Sequence, residues 1–339
     1  MEIRIMKRLV GLIAAVLMMG VTAPGFALDP IVIRFSHVVA PDTPKGRAAE
    51  RFAALAAERT QGRVRVEVHP NSRLYGDRDE MAALQAGHVE MLAPSLSKIK
   101  VLRLAEFEIF DLPYLFADID AVHRVTRGAI GRELLDRLAE QGVVGLAYWD
   151  NGFKQMSANK PLRRPQDANG LVMRIQPSKV IEAQMTALGA RPLVLEFSEV
   201  FTSLKVGTVN GTENPPSNFY TQNMHHAQKY LTLTDHGYLG YAVLVNRKFW
   251  EGLPTDLRGQ LEGAMRDTTV YANEAALEDN AAALQAIRNS GRTLVIELTP
   301  QEKHAWRLAL AGVHEQAQRR IPAELVERIY KAVGYAPPQ

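Results

Sequence analysis

Beyond residue 27 the apolar positions alternate between two periods. Ile31-Val32-Ile33-Arg34-Phe35-Ser36 is a short run rich in β-branched residues and predicts a buried strand. After the turn Pro41-Asp42-Thr43-Pro44, Thr43 can cap a helix with Pro44 at its first position. Ala48, Phe52, Leu55 and Ala56 share one face of that helix, which runs to about Arg59 before Gly62. Arg63 to Val68 alternates strictly, as a half-exposed strand does. A helix over Asp77–Ala86, closed by Gly87, and a strand over Val89–Ala93 follow. The same alternation returns with strands at Val143–Trp149, Leu171–Ile175 and Tyr241–Asn246. Helices are predicted over Ser178–Leu188, ended by Gly189, and Ser198–Lys205, closed by Gly207. Strands interleaved with helices imply an α/β fold with a mainly parallel sheet.

Pro254 to about Asn289 reads as one helix of roughly 35 residues, far above the usual length. Its apolar face is mostly alanine and sustains no heptad. Such a helix bridges two lobes or lies along the periphery of one.

The first 27 residues follow a different pattern. Arg4, Lys7 and Arg8 precede an apolar run from Leu9 to Met19, and Gly25-Phe26-Ala27 supplies a small-x-small cleavage signal. The run is about eleven residues, short of the roughly 20 that span a bilayer. The expectation is a secretory signal peptide cleaved after Ala27 and a periplasmic product. Losing those three cations and Glu2 takes the net charge from +3 to +1. So near-neutral a chain, with 40 Lys+Arg against 37 Asp+Glu, is not a dedicated nucleic-acid binder. Cysteine is absent, which excludes disulfides, thiolate metal sites and a cysteine nucleophile.

No Gly-x-Ser-x-Gly, phosphate-binding glycine loop or His-Glu-x-x-His occurs, so no catalysis, cofactor or metal is expected. His225 and His226 are adjacent and lack a third ligand at helical spacing. Asn210-Gly211-Thr212 reads as a surface-loop sequon at most. Polar and cationic residues do gather beside turns. Lys154 follows Asp150-Asn151-Gly152, and Ser95, Ser97 and Lys98 follow the third strand. Asn214 sits in Thr212-Glu213-Asn214-Pro215-Pro216. Arg174 interrupts the apolar strand Val172-Met173-Arg174-Ile175, a costly placement unless it is paired or faces a ligand. A structural ion pair with Glu199 or Glu213 and an anion clamp are equal readings of it.

Several segments together resemble the DctP-type solute-binding proteins of tripartite ATP-independent periplasmic (TRAP) transporters. They are Phe35-Ser36-His37-Val38-Val39-Ala40, Pro70 to Arg78, Asp111-Leu112-Pro113-Tyr114-Leu115-Phe116, Met173-Arg174-Ile175-Gln176, Phe197-Ser198-Glu199-Val200, Thr212-Glu213-Asn214-Pro215 and Gln228-Lys229-Tyr230-Leu231. Ala93 to Lys98 and Thr232 to Tyr238 are most similar to the branch for four-carbon dicarboxylates. The resemblance implies a two-lobed α/β fold closing on a carboxylate, a long helix spanning both lobes, and delivery to a membrane permease. It implies lobe I over 28–150 plus about 240–270, and lobe II over 151–239 plus about 271–339. Motif by motif it makes Arg174 the carboxylate clamp, Asn214 the motif amide, Lys154 a second cation and Phe197 the aromatic wall. It places Ser95, Lys98, Tyr238, Tyr75 and His37 toward the ligand. Val209-Asn210-Gly211 and Pro216 depart from the usual pattern, which has Asp before the glycine and Leu in place of the proline. Succinate, malate or fumarate is the expected ligand. A keto, sugar or aromatic acid, or an exported enzyme on the same fold, is the alternative.

Overall fold

Thr43 opens the first helix as its residue type predicts: its hydroxyl accepts from the Gly46 N–H, with Pro44 at the first helical position. The computed structural model describes residues 29–338; the expected signal peptide lies outside them. The first half holds β1 (Ile31–Ser36), α1 (Pro44–Arg59), β2 (Val64–His69), α2 (Glu80–Ala86) and β3 (Met91–Leu92). Two 3₁₀ segments, Leu96–Leu102 and Ala105–Asp111, precede α3 (Ile119–Thr126) and α4 (Ala129–Asp136). Next come β4 (Val143–Ala158), β5 (Val172–Ile175), α5 (Lys179–Ala187), β6 (Arg191–Val194), α6 (Val200–Val206), β7 (Gly211–Asn214) and α7 (Pro216–Thr221). β8 (Tyr230–Asn246), α8 (Arg247–Gly252), α9 (Thr255–Ser290) and β9 (Leu294–Glu297) follow, then α10 (Pro300–Leu310), α11 (Gly312–Ala317) and α12 (Ala323–Val333).

The strand order is β2-β1-β3-β8-β4-β7-β5-β6, with β9 also on β8. The sheet is mixed rather than mainly parallel. β1, β2 and β3 pair in parallel, as do β5, β6 and β7, but β4 and β8 are antiparallel along their length. These two strands are far longer than their sequence patterns suggested. One end of β8 pairs with β3 at Leu244 and Val245; the other pairs with β9 at Tyr230 to Leu233. β4 meets β7 only at Gln155 to Ala158. The fold is therefore two-lobed, with a parallel group at each end of a shared β4–β8 ribbon. The turn-like Asp150-Asn151-Gly152 does not end β4. A register shift between Asp150 and Gly152 absorbs it.

The 36-residue α9 spans about 54 Å at 1.5 Å per residue. Leu257, Leu261, Ala264 and Met265 bury against the α1 side, in a cluster with Phe52. Ile287, near the other end, joins Leu231 and Val209. Small alanines between them let the helix pack against β4. None of the described helices is long and apolar enough to cross a membrane. At the C-terminus α12 packs on α3, and Arg328 pairs with Glu133 of α4.

Side chains of α9 hold the β4 irregularity. Asn273 Oδ1 accepts from the Asp150 N–H at 2.9 Å, and Asn280 Nδ2 donates to the Asn151 carbonyl. Gly152 has φ +144°, and a Cβ there would stand 2.7 Å from Asn280 Nδ2. Gly152→Ala should therefore cost about 1–3 kcal/mol. Urea unfolding reads this, and an unchanged midpoint would refute it.

Candidate ligand-binding site

Between the parallel strand groups lies a narrow cleft of about 10 Å³, room for about one water. Lys45, Asp77, Ser95, Lys98 and Tyr241 line it from the β1–β3 side, and Gln176, Phe197 and Asn218 from the β5–β7 side. Apart from Tyr241, which lies within β8, these residues follow strands or lie in or near the first turns of helices, where open α/β sheets place ligands. Larger hollows run along α9, and among the described residues they gather no buried, unpaired cation.

Of the residues expected at the site, Ser95, Lys98 and Phe197 line this space. Ser95 Oγ accepts from Gln176 Nε2 at 2.9 Å, a bond between the two sides. Lys98 is only 2 % exposed and already engaged: its Nζ meets Asp77 Oδ1 at 2.5 Å and also Glu80 Oε1. Burial opposes its charge, but those carboxylates outweigh burial and hold the ammonium above its ordinary value. Lys98 also draws the Asp77 carboxyl down to about 2.

Arg174, Asn214 and Lys154 form a buried layer beside the space rather than its lining. Lys154 Nζ lies 2.9 Å from Glu213 Oε2 and 3.9 Å from Asp111 Oδ1, so it too has its counter-charges. Asn214 Nδ2 donates to Thr212 Oγ1 at 3.1 Å. Arg174 is different. It is 2 % exposed, and its Nε and Nη2 both donate to the Leu195 carbonyl, at 3.1 and 2.9 Å. Its guanidinium lies 5.7 Å from the centre of the Phe197 ring. Glu213 serves Lys154 and Glu199 faces Arg78, and among the described residues no carboxylate lies within 4 Å of Arg174. The ion-pair reading of Arg174 is thereby removed. Burial lowers its pKa, and Asp77 and Glu213 oppose that only from a distance.

The remaining expected residues point elsewhere. Tyr238 donates to Asp150 Oδ1 at 2.5 Å and packs edge-on to Phe116 and Phe153. It does not line the space; Tyr241, three residues on, does. An odd separation along a strand exchanges faces. Tyr75 is partly buried against the core that holds Leu84 and Phe107. His37 is 1 % exposed, feels the charge of Lys45, and has no hydrogen-bond partner for either ring nitrogen among the described residues. Asn210-Gly211-Thr212 is no surface loop: Gly211 and Thr212 are buried in β7, and Asn210 Oδ1 accepts from the Val172 N–H.

Residues 35–320 match the bacterial extracellular solute-binding proteins, family 7, known as DctP. The chain belongs to this family. This DctP-family protein is 54% identical over 331 residues to the C4-dicarboxylate-binding periplasmic protein DctP of Rhodobacter capsulatus, covering 98% of each chain. It is 41% identical to the C4-dicarboxylate-binding protein DctB of Bacillus subtilis, over 89% of this chain and 86% of that one. The crystal structure of a TRAP periplasmic solute-binding protein from Shewanella oneidensis with bound succinate superposes with a TM-score of 0.88. It is 39% identical, with 90% of this chain and 99% of that one covered. A TRAP protein from Pseudomonas aeruginosa with bound L-malate gives 0.83 at 44% identity, with 85% and 100% covered. The DctP-family relatives are binding proteins, and the solved ones share the two-lobed fold.

Five polar or aromatic lining residues had not been singled out as ligand-facing from sequence: Lys45, Asp77, Gln176, Asn218 and Tyr241. The Tyr241 hydroxyl accepts from Asn151 Nδ2 at 2.8 Å, and Ser217 Oγ donates to Asn151 Oδ1. The wall of the space is thus hydrogen-bonded into the β4 irregularity that α9 holds.

Proposed function

We propose that this protein is a periplasmic receptor that captures a C4-dicarboxylate (succinate, malate or fumarate) and hands it unchanged to a TRAP membrane permease. The observation that carries this reading is Arg174: a buried guanidinium without a carboxylate partner within 4 Å among the described residues, beside a narrow cleft. The Leu195 carbonyl takes one edge of its fork, and the other is available for a planar anion. The ligands named for the relatives at 39–54% identity support the four-carbon class. Export would use residues 1–27, with cleavage after Ala27. The lobes would divide near Asp150 on β4 and Gly240 on β8, with Asn214 and Phe197 on the second-lobe wall.

A thermal-shift screen of carboxylates tests the reading. Ligand at a hundred times its Kd stabilises the folded state by about 2.7 kcal/mol. Succinate, malate or fumarate should raise the melting temperature, and monocarboxylates and sugar acids should not. The reverse ranking would overturn the dicarboxylate assignment. Mass spectrometry after incubation should recover the ligand intact; a new product would mean an enzyme.

A further inference from the structure

Lys45 is the one lining cation not yet accounted for. It occupies the second position of α1, where the helix dipole disfavours a positive charge. It is 2 % exposed, and its Nζ donates to the Ala93 carbonyl at 2.9 Å and sits 3.8 Å from the centre of the Tyr241 ring. Among the described residues it forms no ion pair within 4 Å. We propose that Lys45 receives the ligand's second carboxylate and takes up a proton as it does so. This rests on the dicarboxylate reading above.

The groups facing Lys45 decide its charge. Lys98, from the 3₁₀ turn, is a like charge; Glu80 of α2 and Asp77 before it are turned to Lys98. His37, after β1, is held neutral by burial and by Lys45, its pKa pushed down to about 3. Tyr241 of β8 offers only its ring face and, pushed up to about 12 by burial, stays neutral. Burial first and Lys98 second push the Lys45 ammonium down to about 7. These neighbours all belong to α1, α2 and the β1–β3–β8 group. A carboxylate arriving at Nζ supplies the missing counter-charge and raises the affinity for the proton.

Calorimetry with succinate in two buffers of different ionisation heat tests this. At about pH 8 each succinate should bring close to one proton, and at about pH 6, where Lys45 is already mostly charged and most of the succinate is doubly ionised, almost none. Affinity should fall by up to tenfold per pH unit above about 7. Lys45→Arg, always charged, should bind without uptake; Lys45→Met should lose at least about tenfold in affinity and its pH dependence. Normal binding without uptake, uptake that persists in Lys45→Arg, or wild-type affinity in Lys45→Met overturns the proposal and leaves the dicarboxylate reading standing. No heat with succinate, malate or fumarate overturns both.

Discussion

Arg174→Lys should weaken succinate binding by at least about a hundredfold, while the melting temperature of the ligand-free protein moves little. A charged hydrogen bond contributes about 1.5–3 kcal/mol, so losing the paired geometry removes roughly 3 kcal/mol or more. The reason is geometric. Arg174 anchors itself on the Leu195 carbonyl with Nε and Nη2, and Nη1 makes no hydrogen bond among the described residues, which the proposed clamp would use. A lysine has one nitrogen for both tasks, and its compact ammonium is costlier to strip of water. The fold depends less on this side chain, because no described carboxylate within 4 Å would be stranded by its loss. Arg174→Ala should abolish binding outright. Calorimetry gives the affinity and a melting curve without ligand gives the control. An Arg174→Lys protein binding within threefold of wild type would remove Arg174 from the clamp.

How much of this was legible depends on whether the information is local. Thr43, Pro44, Gly87 and Gly207 mark element ends through their own chemistry, and the structure uses them so. The lengths of β4 and β8 were hidden. Asp150-Asn151-Gly152 carries every sign of a turn, and only Asn273 and Asn280, over a hundred residues away on α9, keep it in the ribbon. Arg174 stood out because an arginine in an apolar strand is locally expensive. Lys98 and Lys154 looked equally available, but Asp77, Glu80 and Glu213 answer them through the fold, a count no single segment contains. Lys45 failed in the opposite way. On an amphipathic helix a lysine reads as solvated, and its placement in the first turn, against the dipole, was the one available signal. Tyr238 was expected toward the ligand from family resemblance alone; in β8 it lies an odd number of residues from Tyr241, so the two rings face opposite sides.

The same distinction separates a cation that binds from a cation that holds the fold, and Lys98 tests it. Lys98→Met should destabilise the ligand-free protein by about 3–5 kcal/mol, because breaking a buried pair strands its partners. At roughly 2 °C per kcal/mol for a chain of this size, the melting temperature should fall by about 6–10 °C. Glu80 is 1 % exposed, so without Lys98 it must fold neutral or stay charged without its counter-ion. Adding Glu80→Gln to Lys98→Met should therefore recover part of the loss, whereas Glu80→Gln alone should destabilise. The pH dependence has a definite sign. In the wild type Asp77 titrates at about 2, below its ordinary 3.8. Its contribution is present above that range and is lost as pH falls through about 2. Burial holds Glu80 above its ordinary value even beside Lys98; in Lys98→Met both carboxyls lose that opposing charge and rise further, so acid relieves the variant more than the wild type. The stability gap, read by urea unfolding, should narrow as pH drops from about 5 toward 3. A gap that is constant with pH, or a variant as stable as the wild type with only its succinate affinity lost, would move Lys98 from the scaffold to the ligand.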